Sequence, residues 1–582
     1  MTDRIALRAS VPLFVLATVA MHCLASEAAA ARAPEFPPGA PAWSGRSTLV
    51  MSGGVWHRYA FRKLPEGQNS QLIYFESDDE GLSWSEPYVA GEIPGDNWGG
   101  GTAVLDRRGE LQLFFTRSRR EGEGNVPAVN RFIDVWHVRS TDGRTRWEAP
   151  RQIFAGYTGA ISPAIRLSSG RILMPIGMWM RDKPRGAPFG THEVSAFYSD
   201  DDGATFVLSP ARLVAPVDDD YNGDKVGACE PAAVELRDGR VLMMMRTQAG
   251  TLYQSVSTDG GATWPDAHPS PLYSSTGPPS LIRLPHDRIV LFWNHCAMPP
   301  KVDGRGVYGG RDALHAAIAD PDLKRWRGLR EVYRDPTPNL EPPRRGDRGT
   351  AYPESLLMKD GRVAVMSGQG GRRALFYVDP EWLEETRQSE DFSGGLGAWH
   401  VFKPFGPAEG WWRNRTQGAT LVDHPGNPAA KVLHLRRADE KAPDGASRNF
   451  PAGAAGTLIL RFMLPEGSAG GGVALVDRFF DPTDDQGEAE SMIRLPLSPG
   501  GTLGSATLTP GRWHTLSLAW DSADGPSGAC HVTLDGAKVA TIPLAKPTHT
   551  GLSYLRLRST AADTVDPVGW FVERVDVEIS RP

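Results

Sequence analysis

A short octapeptide that recurs along the first half of the chain constrains the fold more than any other feature. The pattern S-x-D-x-G-x-T-W appears as SDDEGLSW (77–84), STDGRTRW (140–147), SDDDGATF (199–206) and STDGGATW (257–264). Successive copies start roughly 60 residues apart, and a degenerate copy, ADPDLKRW (319–326), follows at a similar interval. A repeat of this period indicates an architecture built from one supersecondary unit per copy, such as a propeller.

The chemistry of the octapeptide is that of a tight turn. Asp and Ser side chains hydrogen-bond the backbone of such turns, glycine takes a φ that other residues avoid, and the aromatic residue anchors the turn on its sheet. We therefore predict structural rather than catalytic roles, far from the axis of the fold, for the four aspartates of the repeat: Asp79, Asp142, Asp201 and Asp259.

A second repeat lies between the octapeptides and consists of an apolar strand, a polar turn and another apolar strand. Three of its copies are TAVLDRRGELQLFF, PAAVELRDGRVLMMM and PESLLMKDGRVAVMS. Such segments are typical of hairpins that are buried between neighbouring sheets. Six of them at this spacing predict a six-bladed β-propeller over residues 40–385.

After Trp382 the repeat ends and the pattern changes. The segments GRWHTLSLAWDS (511–522) and HVTLDGAKVATIPL (531–544) alternate apolar and polar residues, as half-buried antiparallel strands do. The predicted fold class is therefore all-β, with the propeller followed by a β-sandwich (jelly roll) at 390–582. The sandwich resembles concanavalin-like and laminin-G-like domains, which implies either glycan binding or packing against the propeller.

The N-terminus has the layout of a secretory leader. Arg4 and Arg8 precede the apolar run VPLFVLATVA (11–20), and the small residues SEAAAA (26–31) follow it. This order predicts a signal peptide over residues 1–30 and a secreted or periplasmic protein. No later segment approaches the 18 uninterrupted apolar residues of a membrane-spanning helix, so we expect no membrane span.

The net charge of −6 gives no electrostatic reason to expect nucleic acid as a partner. After removal of the leader three cysteines remain, and none has the spacing of a metal ligand. We therefore expect no cofactor and no metal. Whether Cys229 and Cys296 form a disulfide stays open at this point.

The register of the hairpins identifies two positions that should lie together. Counting back nine residues from the turn glycines Gly239 and Gly361 leads to Glu230 in the fourth blade and Tyr352 in the sixth. The innermost strand of each blade begins here, so both side chains are expected at the axial mouth of the propeller.

Around these positions the chain resembles the exo-sialidase family. The segments that carry the resemblance are SGRSTLVMSGG (44–54), CEPAAVELRDGRVLMMMRT (229–247), GRDALHAAIA (310–319) and AYPESLLMKDGRVAVMS (351–367). The resemblance implies three substrate-binding arginines, which are Arg46, Arg246 and Arg311. It also implies that Tyr352 is the nucleophile and Glu230 its base.

These residue types suit an acidic sugar. Planar guanidinium groups bind a carboxylate through two parallel hydrogen bonds. A carboxylate nucleophile would be repelled by the charge of the substrate, whereas a tyrosine hydroxyl is not, and sialidases are the glycosidases that use tyrosine. The resemblance therefore implies a secreted, retaining exo-glycosidase that hydrolyses a terminal sialic acid or a related ulosonic acid.

Two departures from the family pattern concern the acid/base aspartate and a glutamate after the last hairpin. The family supplies an aspartate from the loop after the second strand of blade one, where this chain offers Glu66, and Asp96 before blade two is the other candidate. The glutamate expected after the last hairpin is replaced by Gln369. These departures leave the identity of the acidic sugar open.

Two other classes of function remain possible. A polysaccharide lyase or another glycosidase acting on an anionic glycan needs a base, for which His137, His192 and His295 are candidates. A non-catalytic glycan-binding protein needs no acid residue. The sequence leaves the linkage, the aglycone and the oligomeric state open.

Overall fold

A computed structural model describes residues 32–41, 48–65, 69–123, 130–180, 191–217, 226–298, 310–323, 325–337, 349–369, 373–403, 417–440, 442–481, 486–522 and 528–580. The predicted leader, Arg46 and Glu66 lie outside these residues. The described chain is almost entirely β-strand, with two four-residue α-helices, α1 (Pro380–Leu383) and α2 (Gln486–Ala489). Among the described helices, neither has the length and apolar character needed to cross a membrane.

The first half of the propeller consists of three antiparallel sheets in chain order. Sheet one contains β1 (Thr48–Val50), β2 (Trp56–Lys63), β3 (Asn69–Ser77) and β4 (Tyr88–Pro94). Sheet two contains β5 (Trp98–Leu105), β6 (Leu111–Arg120), β7 (Arg131–Ser140) and β8 (Arg151–Phe154). Sheet three contains β9 (Thr158–Ile161), β10 (Ile165–Arg166), β11 (Ile172–Met180), β12 (Thr191–Ser199) and β13 (Val207–Leu208), with β14 (Val226–Gly227) added in parallel to β12.

Three further sheets complete the propeller. Sheet four contains β15 (Cys229–Glu235), β16 (Val241–Arg246), β17 (Thr251–Ser257) and β18 (His268–Tyr273). Sheet five contains β19 (Ser280–Arg283), β20 (Ile289–Trp293), β21 (Ala313–Ala319) and β22 (Trp326–Arg334). Sheet six contains β23 (Glu354–Leu357), β24 (Val363–Ser367) and β25 (Ala374–Val378).

The six sheets surround one central cavity of about 350 Å³. Inner-strand residues of every sheet line it, among them Leu49, Val104, Ile165, Val234, Ile282 and Leu356. Central strands such as β16 and β20 are buried along their whole length because sheets pack on both of their faces. The prediction of a six-bladed propeller is confirmed.

The ring is closed by the segment that precedes the first blade. Glu35 and Tyr377 exchange two backbone hydrogen bonds, of 3.0 and 2.9 Å, so this segment pairs with β25. Phe36 stacks on Phe376 of the same strand, with ring centroids 5.1 Å apart. Residues from both ends of the propeller thus meet in the sixth blade.

The octapeptide turns have the hydrogen bonds expected from their sequence. In the first copy, Asp79 accepts hydrogen bonds from the Ser83 amide and from the hydroxyls of Ser77 and Ser83, at 2.9, 2.8 and 2.5 Å. Burial raises the pKa of such carboxyls, but these bonds outweigh it and lower the pKa of Asp79, and that of Asp201 to about 2. The aspartates are therefore ionised acceptors that hold turns.

The remaining strands form the sandwich. Its larger sheet contains β26 (Arg387–Glu390), β28 (Thr420–His424), β29 (Asn427–Arg437), β31 (Ala455–Met463), β36 (Trp513–Asp521), β37 (Ala529–Leu534), β38 (Ala537–Pro543) and β40 (Asp566–Ile579). Its smaller sheet contains β27 (His400–Phe402), β30 (Gly445–Gly453), β32 (Gly471–Val476), β33 (Ile493–Leu497) and β39 (Leu552–Ser559). A short hairpin joins β34 (Thr502–Leu503) to β35 (Ala506–Thr507).

Buried and partly exposed side chains alternate along these strands, and the buried ones form the sandwich core. In β36 every second residue from His514 to Trp520 is buried, while the residues between them are partly exposed. Leu460, Leu516 and Leu555, from three strands of the two sheets, belong to one apolar cluster. The predicted order of propeller and sandwich is therefore confirmed. Cys229, Cys296 and Cys530 are buried, and within the described residues no disulfide joins Cys229 to Cys296.

Candidate active site

The first feature of the site is a β-bulge at the start of β15. The register changes from Cys229 opposite Arg246 to Ala232 opposite Met244, so β15 has one extra residue at this point. The resulting β-bulge contains Glu230 and directs its side chain away from the regular ladder. Glu230 has a φ of +45° although a proline follows it, which is a conformation that residues before proline avoid.

Tyr352 occupies the equivalent position in the sixth blade and shows the same departure. It lies two residues before the start of β23, precedes Pro353 and has a φ of +64°. A left-handed φ at a non-glycine residue costs on the order of 1–3 kcal/mol and persists only where the surrounding structure enforces it. The two strained residues face each other, since the Tyr352 hydroxyl donates to Glu230 Oε1 at 3.1 Å.

Arg246 completes a three-residue cluster. Its Nη1 lies 2.6 Å from Glu230 Oε2 and 3.4 Å from the Tyr352 hydroxyl. Arg246 and Glu230 are each only 2% exposed, so this ion pair is held in a low-dielectric environment. One carboxylate oxygen thus accepts from the guanidinium and the other from the tyrosine.

Arg311 approaches the same tyrosine from the fifth blade. Its guanidinium carbon lies 5.6 Å from the centroid of the Tyr352 ring. Nη1 donates to Gln369 Oε1 at 2.8 Å, and Nη2 donates to the Thr276 carbonyl at 2.7 Å. Gln369 therefore holds this arginine.

The chain can approach Arg311 closely because a glycine stands at position 349. Gly349 has a φ of +87°, and a Cβ there would lie 2.1 Å from the Arg311 carbonyl oxygen. The next amide, of Thr350, donates to that same oxygen at 2.7 Å. This glycine therefore lets the segment that leads into Tyr352 dock on the strand that carries Arg311.

Of the two acid/base candidates, only Asp96 lies in the described part of the chain. It is in the loop between β4 and β5, with Lys63 Nζ at 3.4 Å and Asn97 Nδ2 at 2.8 Å. The structure does not bring it into hydrogen-bonding contact with Tyr352 or Glu230. The sequence could not predict whether Asp96 reaches these two residues, because the loop after blade one is far along the chain from blades four and six.

Two of the candidate histidines are enclosed by other contacts. His137 forms hydrogen bonds with Gln112 and Arg151 of its own blade, and burial lowers its pKa to about 3. His295 is fully buried between two backbone carbonyls, and burial lowers its pKa to about 4. His192 is also buried, at 2% exposure. These surroundings favour structural roles for the three histidines.

One polar side chain near the site was not identified from the sequence. Gln248 lies two residues after Arg246, in the turn that follows β16, and is 9% exposed. Among the residues that the structure describes, neither its amide oxygen nor its amide nitrogen has a hydrogen-bond partner. Its spacing from Arg246 was the available signal, because the turn after a strand lies beside the end of that strand.

One protein-family model matches more than half of the chain. The family model described as BNR repeat-like domain matches residues 59–365. A sialidase of Micromonospora viridifaciens is 29% identical over 220 residues, which cover 34% of this chain. The match spans about a third of that relative, 31% of its length.

Solved structures resemble the chain at low sequence identity. A Dyadobacter fermentans protein of unknown function has a TM-score of 0.40 and 18% identity, covering 59% of this chain and 96% of that one. Trypanosoma rangeli sialidase, in complex with 2,3-difluorosialic acid, has a TM-score of 0.39 and 14% identity, covering 92% of this chain and 91% of that one.

Proposed function

The chain belongs to the BNR repeat-like domain family of the sialidase superfamily, and on this premise we propose that it is a retaining exo-glycosidase. Its proposed substrate is a glycan that ends in sialic acid or a related ulosonic acid. Secretion or export to the periplasm, through the leader at 1–30, is part of the same proposal.

The observation that carries the proposal is the hydrogen bond of 3.1 Å from the Tyr352 hydroxyl to Glu230. A nucleophile and a base within hydrogen-bond reach, with the base oriented by a third group, are the signature of an activated nucleophile. Arg246 is that third group. Tyrosine, being neutral, is the nucleophile suited to an anomeric carbon that bears a carboxylate.

In the proposed first step Tyr352 attacks the anomeric carbon while Glu230 takes the phenolic proton. The glycosidic bond breaks, and the leaving oxygen takes its proton from an acid, for which Asp96 and Glu66 are the candidates. Water then attacks the glycosyl-tyrosine and gives a proton to the acid residue, which is now a carboxylate, while Glu230 returns its proton to the departing Tyr352 oxygen. Arg311 and Arg246, with Arg46, would bind the carboxylate of the sugar, and Gln248 offers an amide to its hydroxyl or acyl groups.

A non-catalytic glycan-binding protein is the second candidate. The observation that favours it is the position of Asp96, whose described contacts are with Lys63 and its own loop. A binding protein would retain the arginines and would need no acid.

A fluorogenic screen separates the two candidates. The full-length protein would be tested on aryl glycosides of N-acetylneuraminic acid, its deaminated analogue and a keto-deoxy-octulosonate. An aryl leaving group needs little help from an acid, so activity is expected even if protonation is weak. Turnover abolished in Tyr352→Phe would support the hydrolase, whereas saturable binding of the free sugars with no turnover would favour the binding protein.

A further inference from the structure

A buried polar network joins the sandwich to the fifth blade of the propeller. It comprises His295, His315 and Glu331 of the propeller with His400 and Tyr554 of the sandwich. Tyr554 lies at its centre, with its hydroxyl 2.6 Å from His315 Nε2 and 2.7 Å from Glu331 Oε2. His295 and His315 have no exposed surface, and Tyr554 is 1% exposed.

The direction of these hydrogen bonds follows from one fixed donor. The backbone N–H of His295 donates to His315 Nδ1 at 3.2 Å, so neutral His315 carries its proton on Nε2. Nε2–H then donates to the Tyr554 hydroxyl, and that hydroxyl donates to Glu331. The chain of donors ends at a carboxylate, which can only accept.

The charges in the network agree with this order. Burial holds the pKa of His315 well below its usual value, and burial together with the Glu331 charge holds that of Tyr554 well above. Burial opposes ionisation of Glu331, but Arg334 and His400 beside it hold its pKa well below the usual range. Arg334 Nη2 lies 2.6 Å from Glu331 Oε1 and His400 Nε2 lies 2.9 Å from Oε2.

Backbone contacts tie the same two parts together. The Phe479 amide donates to the His295 carbonyl at 3.1 Å, and the Ala297 amide donates to the Phe479 carbonyl at 2.7 Å. His295 Nε2 lies 3.0 Å from the Asp477 carbonyl. A segment of the sandwich therefore pairs with the chain that leaves β20.

That chain continues directly into the site. Asn294, the residue before His295, donates from Nδ2 to the Thr350 hydroxyl at 3.0 Å and to the Ala313 carbonyl at 2.8 Å. Thr350 in turn bonds the Arg311 carbonyl through both its amide and its hydroxyl, at 2.7 and 3.0 Å. Thr350 is two residues before Tyr352, so the side chain of Asn294 contacts the segments that carry both site residues.

We propose that the sandwich is part of the support of the active site, and that Tyr554 and His315 are positioning residues that fix Arg311 and the segment entering Tyr352 through the fifth blade. The proposal rests on the function proposed above and gives the second domain a share in that site. A buried network with every member hydrogen-bonded rigidifies its surroundings, whereas one with a missing member leaves costly unpaired groups.

Amide hydrogen exchange of the full-length protein tests the proposal without reference to activity. Tyr554→Phe removes the hydroxyl that joins His315 to Glu331 and changes the side-chain volume little. We expect exchange at Thr350 and in residues 311–313 to become at least tenfold faster, with blades one to three unchanged. The control is Leu516→Ala, in the sandwich core, which should speed exchange in the sandwich but not at Thr350.

Wild-type protection of Thr350 in Tyr554→Phe would overturn the proposal, because the network would then only hold the domains together. The proposal would also be overturned if Leu516→Ala sped exchange at Thr350 as much as Tyr554→Phe does. Any weakening of the sandwich would then expose Thr350, and the network itself would have no special role. If Tyr554→Phe does not fold, Glu331→Gln, which keeps an acceptor for Tyr554 but loses the charge, takes its place.

Kinetics provide a second readout on the fluorogenic substrates. With rates corrected for the folded fraction, Tyr554→Phe should raise KM at least tenfold and lower kcat less, because Arg311 binds the substrate carboxylate. An unchanged KM with faster exchange at Thr350 would contradict the link to Arg311. If the wild-type protein turns over none of the glycosides, the proposed function fails, and the exchange experiment still decides whether the sandwich supports the site.

Discussion

The outer turns and the axial mouth of the propeller both contain buried or half-buried carboxylates, and these are held in opposite ways. Asp79 accepts three hydrogen bonds from residues no more than four positions away in its own octapeptide. Glu230 accepts from Arg246 of its own blade and from Tyr352, which is 122 residues away in sequence. The first carboxylate is satisfied locally, whereas the second is satisfied only when the ring is closed.

The backbone shows the same contrast. The octapeptides put glycines, such as Gly260 and Gly261, where a positive φ is needed. At the mouth, Glu230 and Tyr352 adopt a positive φ as non-glycine residues before proline. The outer turns thus stabilise the fold. At the mouth, the rest of the ring must offset the backbone strain that keeps Glu230 and Tyr352 in contact. Strain of this kind is common at functional sites.

The largest effect is expected from Tyr352→Phe, which removes one oxygen from the mouth. Loss of a covalent nucleophile lowers kcat on the order of 10⁴-fold or more. The fold should be nearly unaffected because the ring still fills its space. The measurements are kcat on an aryl ulosonic-acid glycoside and the melting temperature.

Tyr59→Phe is the matched control for this substitution. The Tyr59 hydroxyl donates to the Gly143 carbonyl at 3.0 Å, far along the chain from the mouth, so its removal should lower stability and leave kcat near normal. Near-normal kcat in Tyr352→Phe would rule out the tyrosine mechanism while leaving the propeller intact.

A smaller loss is expected from Glu230→Gln. The amide keeps an acceptor but no longer takes the proton of Tyr352, and the loss of general-base help costs about 10²–10⁴-fold in kcat. Glu235→Gln, on the same strand, is the control, since Glu235 accepts from Ser168 at 2.6 Å and lines the central cavity instead. Equal losses of kcat in the two variants would show that the substitution of Glu230 acts by disturbing β15 and not by removing a proton acceptor.

The sequence predicted the repeating blades and the sandwich that follows them, but it missed the contacts that depend on how loops and domains pack. Periodic octapeptides and hairpins indicated six blades, and the shared register placed Glu230 and Tyr352 together. The contact between them could be anticipated because equivalent positions of different blades face one axis.

The position of Asp96 and the network around Tyr554 could not be read from the sequence. Asp96 lies in a connecting loop, whose path is set by its neighbours and not by the repeat. His295, His315 and Glu331 lie in or beside strands of the fifth blade, where nothing in the pattern distinguishes a residue that contacts the sandwich from one that faces another blade. A polar network between domains depends on how the domains pack, which no local period encodes.

The interface offers a third test, in which stability changes with pH. The folded pKa of His295, about 4, is below its unfolded value of about 6.5, so the unfolded state binds the extra proton first as the pH falls. Stability should therefore be lost between about pH 6.5 and 4, by on the order of 3 kcal/mol from this residue. The measurement is denaturant unfolding of the wild type and of His295→Gln at pH 7, 5.5 and 4.

His295→Gln keeps a donor for the Asp477 carbonyl but does not titrate. Its free energy of unfolding should be lower than that of the wild type at pH 7 and should fall less steeply with acid. Parallel curves for the two proteins would mean that the titration of His295 does not control the acid sensitivity. Its neighbour His315, whose pKa burial also lowers, would then be the next residue to replace.

The smallest effect concerns the outer turns, where neighbouring aspartates provide an internal control. Asp79→Ala removes three hydrogen bonds. At the low end of about 0.5–1.5 kcal/mol each, which suits a partly exposed turn, their loss costs about 1.5–3 kcal/mol. Asp78→Ala, one residue earlier at an exposed position, should cost little, and kcat should be unchanged in both.

Because hydrogen bonding lowers the folded pKa of Asp79, its contribution to stability is complete above the unfolded pKa of about 3.9 and is lost as the pH falls through the folded pKa. The difference in unfolding free energy between wild type and Asp79→Ala should therefore shrink below about pH 3.9. A difference in unfolding free energy that stays constant into strong acid would show that packing of the turn, and not the ionised carboxylate, stabilises it. A fall in kcat in a stable Asp79→Ala variant would show that the octapeptide affects the chemistry at the mouth.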